Sequence, residues 1–178
     1  MNRTQILIIV VIVVTFVIIY FIKRKSINTW IKQRYEDSKT AYYLNKLHPK
    51  IRKRAKEFLK KADDEGIKLN ITSSFRTLAE QTKLYNQGRT TGGNIVTGAK
   101  AGQSFHNYGL AFDVVPSEGY NSNKWNKIGA LGESFGFEWG GRWSKPDKPH
   151  FQDRFGYSWS ALLSEVKNGN LKGDYVKV

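Results

Sequence analysis

From Ile6 to Ile22 the chain carries no charged side chain, and only Thr15 and Tyr20 offer any polarity. A surface helix of a globular protein keeps a polar face, and this stretch has none, so it does not suit an ordinary soluble fold. Its length is near the lower limit for crossing a bilayer as a helix. A cleaved signal peptide is the rival reading, but no small-x-small cleavage pattern follows; Phe21, Ile22, Lys23, Arg24 and Lys25 come instead. The sequence therefore predicts an uncleaved membrane anchor over residues 1–25. The remainder of the 178 residues suffices for one domain of ordinary size.

Beyond residue 25 the chain holds 25 Lys and Arg against 15 Asp and Glu. That balance favours polyanionic surroundings such as nucleic acid, anionic lipid or an anionic cell envelope, without choosing among them. Nucleic acid is the weakest of these, because the basic residues are scattered and no recognition motif is present. There is no cysteine, so disulfides and thiolate metal sites are excluded. Any metal must be held by His, Asp and Glu.

The expected organisation is an anchor at 1–25, a helical stalk or lead-in at 26–46 and a folded domain at 47–178. Pro49 is placed to open a helix in which Ile51, Ala55, Phe58, Leu59 and Ala62 recur at helical spacing, with Gly66 ending it. Ile67, Leu69 and Ile71 alternate with polar residues as a half-buried strand does. Thr77 to Glu80 has capping-box form and opens a helix to about Asn86. Residues 88–103, with Gly88, Gly92, Gly93 and Gly98, read as a long loop, and loops of that length are often functional. A strand is expected from Tyr108 to Val115, a helix from Asn123 to Phe135, a short strand at His150–Gln152 and a last helix from Trp159 to Val166. The pattern is α+β: a small, mainly antiparallel sheet with flanking helices.

Two short blocks carry the chemistry. In the first, His106 precedes a strand and Asp113 lies within it, flanked by Phe112 and Val114. A carboxylate among apolar neighbours needs a cation. Taken alone, the block is as well explained by a loop histidine and an acid paired with one of the many Lys or Arg side chains. The second block, Asp147-Lys148-Pro149-His150, alters that balance. Two of the chain's three histidines now stand beside acids, and a catalytic zinc site needs three protein ligands with a fourth position open. A carboxylate three residues before a ligating histidine can lie beside the metal without binding it, where a base for water belongs. The third histidine, His48, sits in Leu47-His48-Pro49 ahead of a helix and reads as a capping or packing residue.

These blocks resemble the zinc peptidases that cut bacterial peptidoglycan stem peptides: the D-alanyl-D-alanine carboxypeptidases and dipeptidases and, closest in pattern, the L-alanyl-D-glutamate endopeptidases of bacteria and phage endolysins. The resemblance runs from about Leu47 to Gln152. It rests on Leu47-His48-Pro49, on Ser73-Ser74-Phe75-Arg76-Thr77 leading to Glu80-Gln81, and on Ser104-Phe105-His106 with Gly109-Leu110-Ala111-Phe112-Asp113. The last block is Glu138-Trp139-Gly140-Gly141 followed by Asp147-Lys148-Pro149-His150-Phe151. The resemblance implies zinc bound by His106, Asp113 and His150, and Asp147 as general base. It also implies that Arg76 faces developing negative charge and that Gln81 and Ser104 line the substrate pocket. One departure stands out: the family usually has an acid after the Gly-Gly pair, and here it is Arg142. Ser74, where the family often has glycine, is a smaller one.

The implied activity is hydrolysis of the L-Ala–D-Glu bond, with the terminal D-Ala–D-Ala bond second. A zinc-containing but non-catalytic wall-binding module is the alternative of another class, and Asp147 argues against it, since binding needs no base. The expected partners are the stem peptide and, through the N-terminal helix, the membrane, with no nucleic acid. Orientation is contested. Lys23, Arg24, Lys25, Lys32 and Arg34 outweigh Arg3 and the α-amine, which by the positive-inside rule puts the domain in the cytoplasm. The implied substrate lies outside, and the domain is expected there, facing the cell wall or periplasm.

Overall fold

A computed structural model of the chain describes residues 3–173 and 175–178, with side chains described from Val13 onward. The chain divides into two compact units, Met1–Ser38 and Lys39–Val178. Helix α1 (Arg3–Asn45) is continuous past residue 25. No helix among the described residues is long and apolar enough to cross a membrane. The expected span Ile6–Ile22 lies partly outside the residues whose side chains are described. From Val13 to Ile22 its large apolar side chains are exposed.

The second unit begins with the last turns of α1, where Tyr43 and Leu44 pack on the core. Helix α2 (Pro49–Asp64) follows, with His48 as N-cap: its Nδ1 accepts from the Lys50 amide and its Nε2 donates to the Val176 carbonyl. His48 is thus a capping residue, as the Leu-His-Pro pattern suggested. Ile51, Ala55, Phe58 and Ala62 form the buried stripe of α2. Strand β1 (Leu69–Ser73) leads to α3 (Leu78–Asn86), which opens on the expected Thr77/Glu80 capping box. A 3₁₀ turn at Phe105–Tyr108 precedes β2 (Ala111–Pro116). Then come α4 (Trp125–Ser134), β3 (Glu138–Trp139), a 3₁₀ turn at Gly140–Arg142, β4 (His150–Gln152) and α5 (Trp159–Lys167). A small ribbon of β5 (Leu171–Lys172) and β6 (Tyr175–Val176) ends the chain.

Strands β1–β4 form one antiparallel sheet in the order β1-β2-β4-β3. At the edge strand β1, the Ile71 amide donates to Thr40 Oγ1, so α1 occupies a backbone group that would otherwise be open. Side chains alternate between faces of a strand, and the register uses that directly. Phe112 pairs with Phe151, and the next pair along is Asp113 with His150. The phenylalanines point into the core, where Phe58 of α2 meets Phe112, Phe137 and Phe151 at ring-centroid distances of 6.3, 6.5 and 5.1 Å. Asp113 and His150 therefore share the opposite face. The hydrophobic pattern that builds the core also brings these two polar side chains together.

Sequence boundaries shift in one instructive place. The strand expected from Tyr108 begins at Ala111, because Gly109 adopts φ of 69° and closes the 3₁₀ turn. A side chain there would also crowd the His48 backbone, since its Cβ would lie 3.0 Å from the His48 nitrogen.

Candidate metal centre

His106 is carried on the 3₁₀ turn and held from several sides. Its carbonyl accepts from the Arg76 amide at 2.9 Å. The neighbouring Asn107 donates to the Arg76 carbonyl at 2.9 Å and accepts from the Gly102 amide at 3.0 Å. The buried Tyr108 hydroxyl donates to the Gly102 carbonyl at 2.6 Å, and burial pushes its pKa up to about 12. The turn that presents His106 is thereby tied both to the start of α3 and to the end of the 88–103 loop.

The ring of His106 donates from Nδ1 to the Ser74 carbonyl at 2.7 Å. A carbonyl can only accept, so the proton sits on Nδ1 and Nε2 keeps its lone pair. His150 Nε2 lies 3.0 Å from Gln152 Oε1, and Nδ1 faces inward. Across this gap, His106 Nε2 and His150 Nδ1 are 3.3 Å apart. Asp113 Oδ1 is 3.4 Å from the former and 3.1 Å from the latter. Zinc–nitrogen and zinc–oxygen bonds of about 2.0–2.1 Å in a tetrahedron imply ligand–ligand edges of about 3.3 Å. The three expected ligands thus form one face of such a tetrahedron, and they make up a His/Asp/His group able to hold a metal.

Electrostatics point the same way. Three converging lone pairs repel one another unless a cation sits among them. Burial alone would raise the Asp113 carboxyl, but His106 and His150 outweigh it and hold it well below the usual carboxylate range. Burial alone would lower His150, and the hydrogen bond and charge of Asp113 reverse that, raising it. The charge pattern that shifts these groups is one that suits a cation among them.

These groups open into a cavity of about 710 Å³, lined also by Arg76, Ser104, Trp143 and Asp147. That volume is in the range of small-ligand sites. Asp147 stands at its exposed rim, where loss of water on the cavity side raises its carboxyl pKa. The loop that carries it packs against Gly140, where a Cβ would lie 2.5 Å from the Asp147 carbonyl oxygen. Arg76 donates to Gln81 Oε1 at 2.8 Å and to Ser73 Oγ at 3.0 Å.

The structure places two residues singled out in the sequence away from the cavity. Gln81 does not line the cavity: it is fully buried behind Arg76, donating to the Ala99 carbonyl at 2.7 Å while accepting from the guanidinium. The buried face of α3 takes it inward. Arg142, the departure beside the Gly-Gly pair, turns away from the cavity and grips Glu133 of α4 with two hydrogen bonds of 2.5 and 2.8 Å. Trp143, given no definite role by the sequence, is 40% exposed on the cavity wall with its ring 5.0 Å from that of His150.

The family described as D-alanyl-D-alanine carboxypeptidase matches residues 97–153, a span that contains His106, Asp113, Asp147 and His150. The chain is 39% identical over 121 residues to the peptidoglycan L-alanyl-D-glutamate endopeptidase CwlK of Bacillus subtilis (strain 168), covering 60% of this chain and 72% of CwlK. It is 32% identical over 128 residues to the L-alanyl-D-glutamate peptidase of Listeria phage A118, covering 64% of this chain and 42% of that protein. Among solved structures, the L-Ala D-Glu endopeptidase ChiX of Serratia marcescens matches over 66% of this chain and 87% of that one, at 23% identity and a TM-score of 0.47. The relationship to CwlK, spanning more than two thirds of that protein, places this chain in the family of zinc D-alanyl-D-alanine carboxypeptidases and L-alanyl-D-glutamate endopeptidases, as a metallopeptidase.

Proposed function

We propose that the chain hydrolyses peptidoglycan stem peptides at the L-Ala–D-Glu bond, with zinc held by His106 Nε2, Asp113 Oδ1 and His150 Nδ1. The observation that carries the reading is the triangle of 3.1, 3.3 and 3.4 Å between those atoms, with Asp147 and Arg76 on the walls of the same cavity. Zinc in that triangle supplies Lewis acidity and a lowered water pKa. Asp147 takes the proton of the attacking water and passes it to the leaving amine. Arg76 presents its guanidinium to the oxygen on which negative charge develops. Gln81 and Ser73 hold that guanidinium by two hydrogen bonds and so fix the direction in which it points. Ser104 lines the pocket beside the peptide. The choice of bond is supported by the names of the Bacillus subtilis and Listeria phage relatives.

Digestion of purified peptidoglycan, with fragment masses, tests this. New L-Ala carboxyl termini and D-Glu amino termini are expected; release of terminal D-Ala alone would move the activity to the carboxypeptidase branch.

We also propose that Ile6–Ile22 anchors the chain in the cytoplasmic membrane, with the domain on the wall side. The uncharged run and the exposed apolar side chains of Val13–Ile22 support this. Protease added to intact spheroplasts should remove the domain, and full protection would place it in the cytoplasm.

A further inference from the structure

His106 and His150 face the same point with opposite ring nitrogens, so each must carry its proton on the other one. For His106 the proton is fixed by a backbone carbonyl, which no substitution removes. For His150 the partner is a side-chain amide, and an amide can turn either its oxygen or its nitrogen toward the ring. Which end faces His150 decides whether Nδ1 is free to bind metal.

We propose that Glu138 makes that choice, acting through Gln152 as a positioning residue for the metal centre. Strand alternation places Gln152 on the same face of β4 as His150, two residues on, and β3–β4 pairing sets Glu138 opposite Gln152. Gln152 Nε2 donates to Glu138 Oε2 at 3.0 Å. A carboxylate only accepts, so the amide nitrogen is bound to Glu138 and the oxygen is turned to His150 Nε2, 3.0 Å away. His150 must then donate from Nε2, and its Nδ1 lone pair is left for the metal. Arg154, a further two residues along, holds the other Glu138 oxygen at 2.6 Å. Gln152 is buried while Glu138 and Arg154 reach solvent, their side chains 40% and 50% exposed. The line of contacts therefore joins a surface ion pair to the proton position on a buried ring.

This rests on the metal-centre reading, and the test separates the two. In the full chain, Glu138→Gln keeps size and hydrogen bonding but can present either end to Gln152. Zinc affinity, measured by chelator competition, should fall about 10–100-fold. In the metal-free variant, nitrogen NMR well above the His150 titration should show the His150 proton moving toward Nδ1 while His106 keeps its own on Nδ1. Gln152→Leu should lower zinc affinity similarly, and adding Glu138→Gln to it should cost nothing more. Zinc affinity within twofold of wild type in Glu138→Gln, an unchanged His150 tautomer, or fully additive losses in the double variant would each overturn the relay. A wild-type chain that takes no zinc would sink the metal reading instead, and the tautomer measurement would still decide the relay.

Discussion

Replacing Asp147 by Asn separates catalysis from metal binding. The carboxylate stands at the cavity rim and makes no side-chain hydrogen bond among the described residues, and it is not one of the three atoms of the ligand triangle. Asn has nearly the same size, and an exposed substitution without partners to lose changes stability by no more than about 0.5 kcal/mol. Zinc content and melting should therefore match wild type. The rate should not, because an amide cannot take the proton of the attacking water. Loss of a general base costs roughly 10²–10⁴-fold, equivalent to about 2.7–5.4 kcal/mol of barrier. The assay is release of soluble muropeptides from purified wall, with metal analysis and a thermal melt on the same sample. Loss of zinc would make Asp147 a ligand and send the search for a base elsewhere. Full activity with zinc retained would make it an ordinary turn residue.

Two further outcomes follow from neighbouring contacts. Arg76→Lys keeps the charge but not the planar fork that reaches Gln81 and Ser73 together, so kcat should fall about 10²-fold with zinc unchanged; unaltered turnover would leave Arg76 a purely structural role. His48 is pushed below its ordinary pKa by burial and by the charges of Lys50 and Arg52, against the opposing Val176 hydrogen bond. A depressed folded pKa gives stability that is complete above about pH 6.5, the unfolded value, and lost as pH falls through the folded value. Urea midpoints of the metal-free chain should therefore drop on acidification more in wild type than in His48→Asn, which keeps a cap without a titrating ring; parallel curves would exclude His48 as the cause.

Much of the centre was legible because its chemistry is local in sequence. His106, Asp113, Asp147 and His150 lie in two blocks whose residue types have few other uses together, and a strand periodicity of two placed Asp113 and His150 away from the core phenylalanines. What escaped depends on register. The pairing of β3 with β4 brings Glu138 to Gln152, but β3 has only two residues, too few to show a period, and Glu138 entered only as the first residue of the Glu138-Trp139-Gly140-Gly141 block. Gln81 was assigned to the pocket by resemblance, whereas the face α3 buries was not readable from its weakly patterned sequence. The same holds for Arg142: a reversed charge in the chain says nothing of direction until Glu133 is found beside it. The start of β2 was misplaced because the left-handed turn at Gly109 interrupts an apolar run that otherwise reads as continuous strand.

In the proposed centre His106, Asp113 and His150 bind one zinc through Nε2, Oδ1 and Nδ1. A crystal structure of the zinc-loaded chain, with anomalous scattering recorded at the zinc edge, tests it most directly. A single strong peak is expected about 2.0–2.2 Å from each of those three atoms, beside the Asp147 carboxylate. A peak bound through the other nitrogen of either histidine, a site elsewhere in the chain, or no zinc in protein that still cleaves the wall would contradict it.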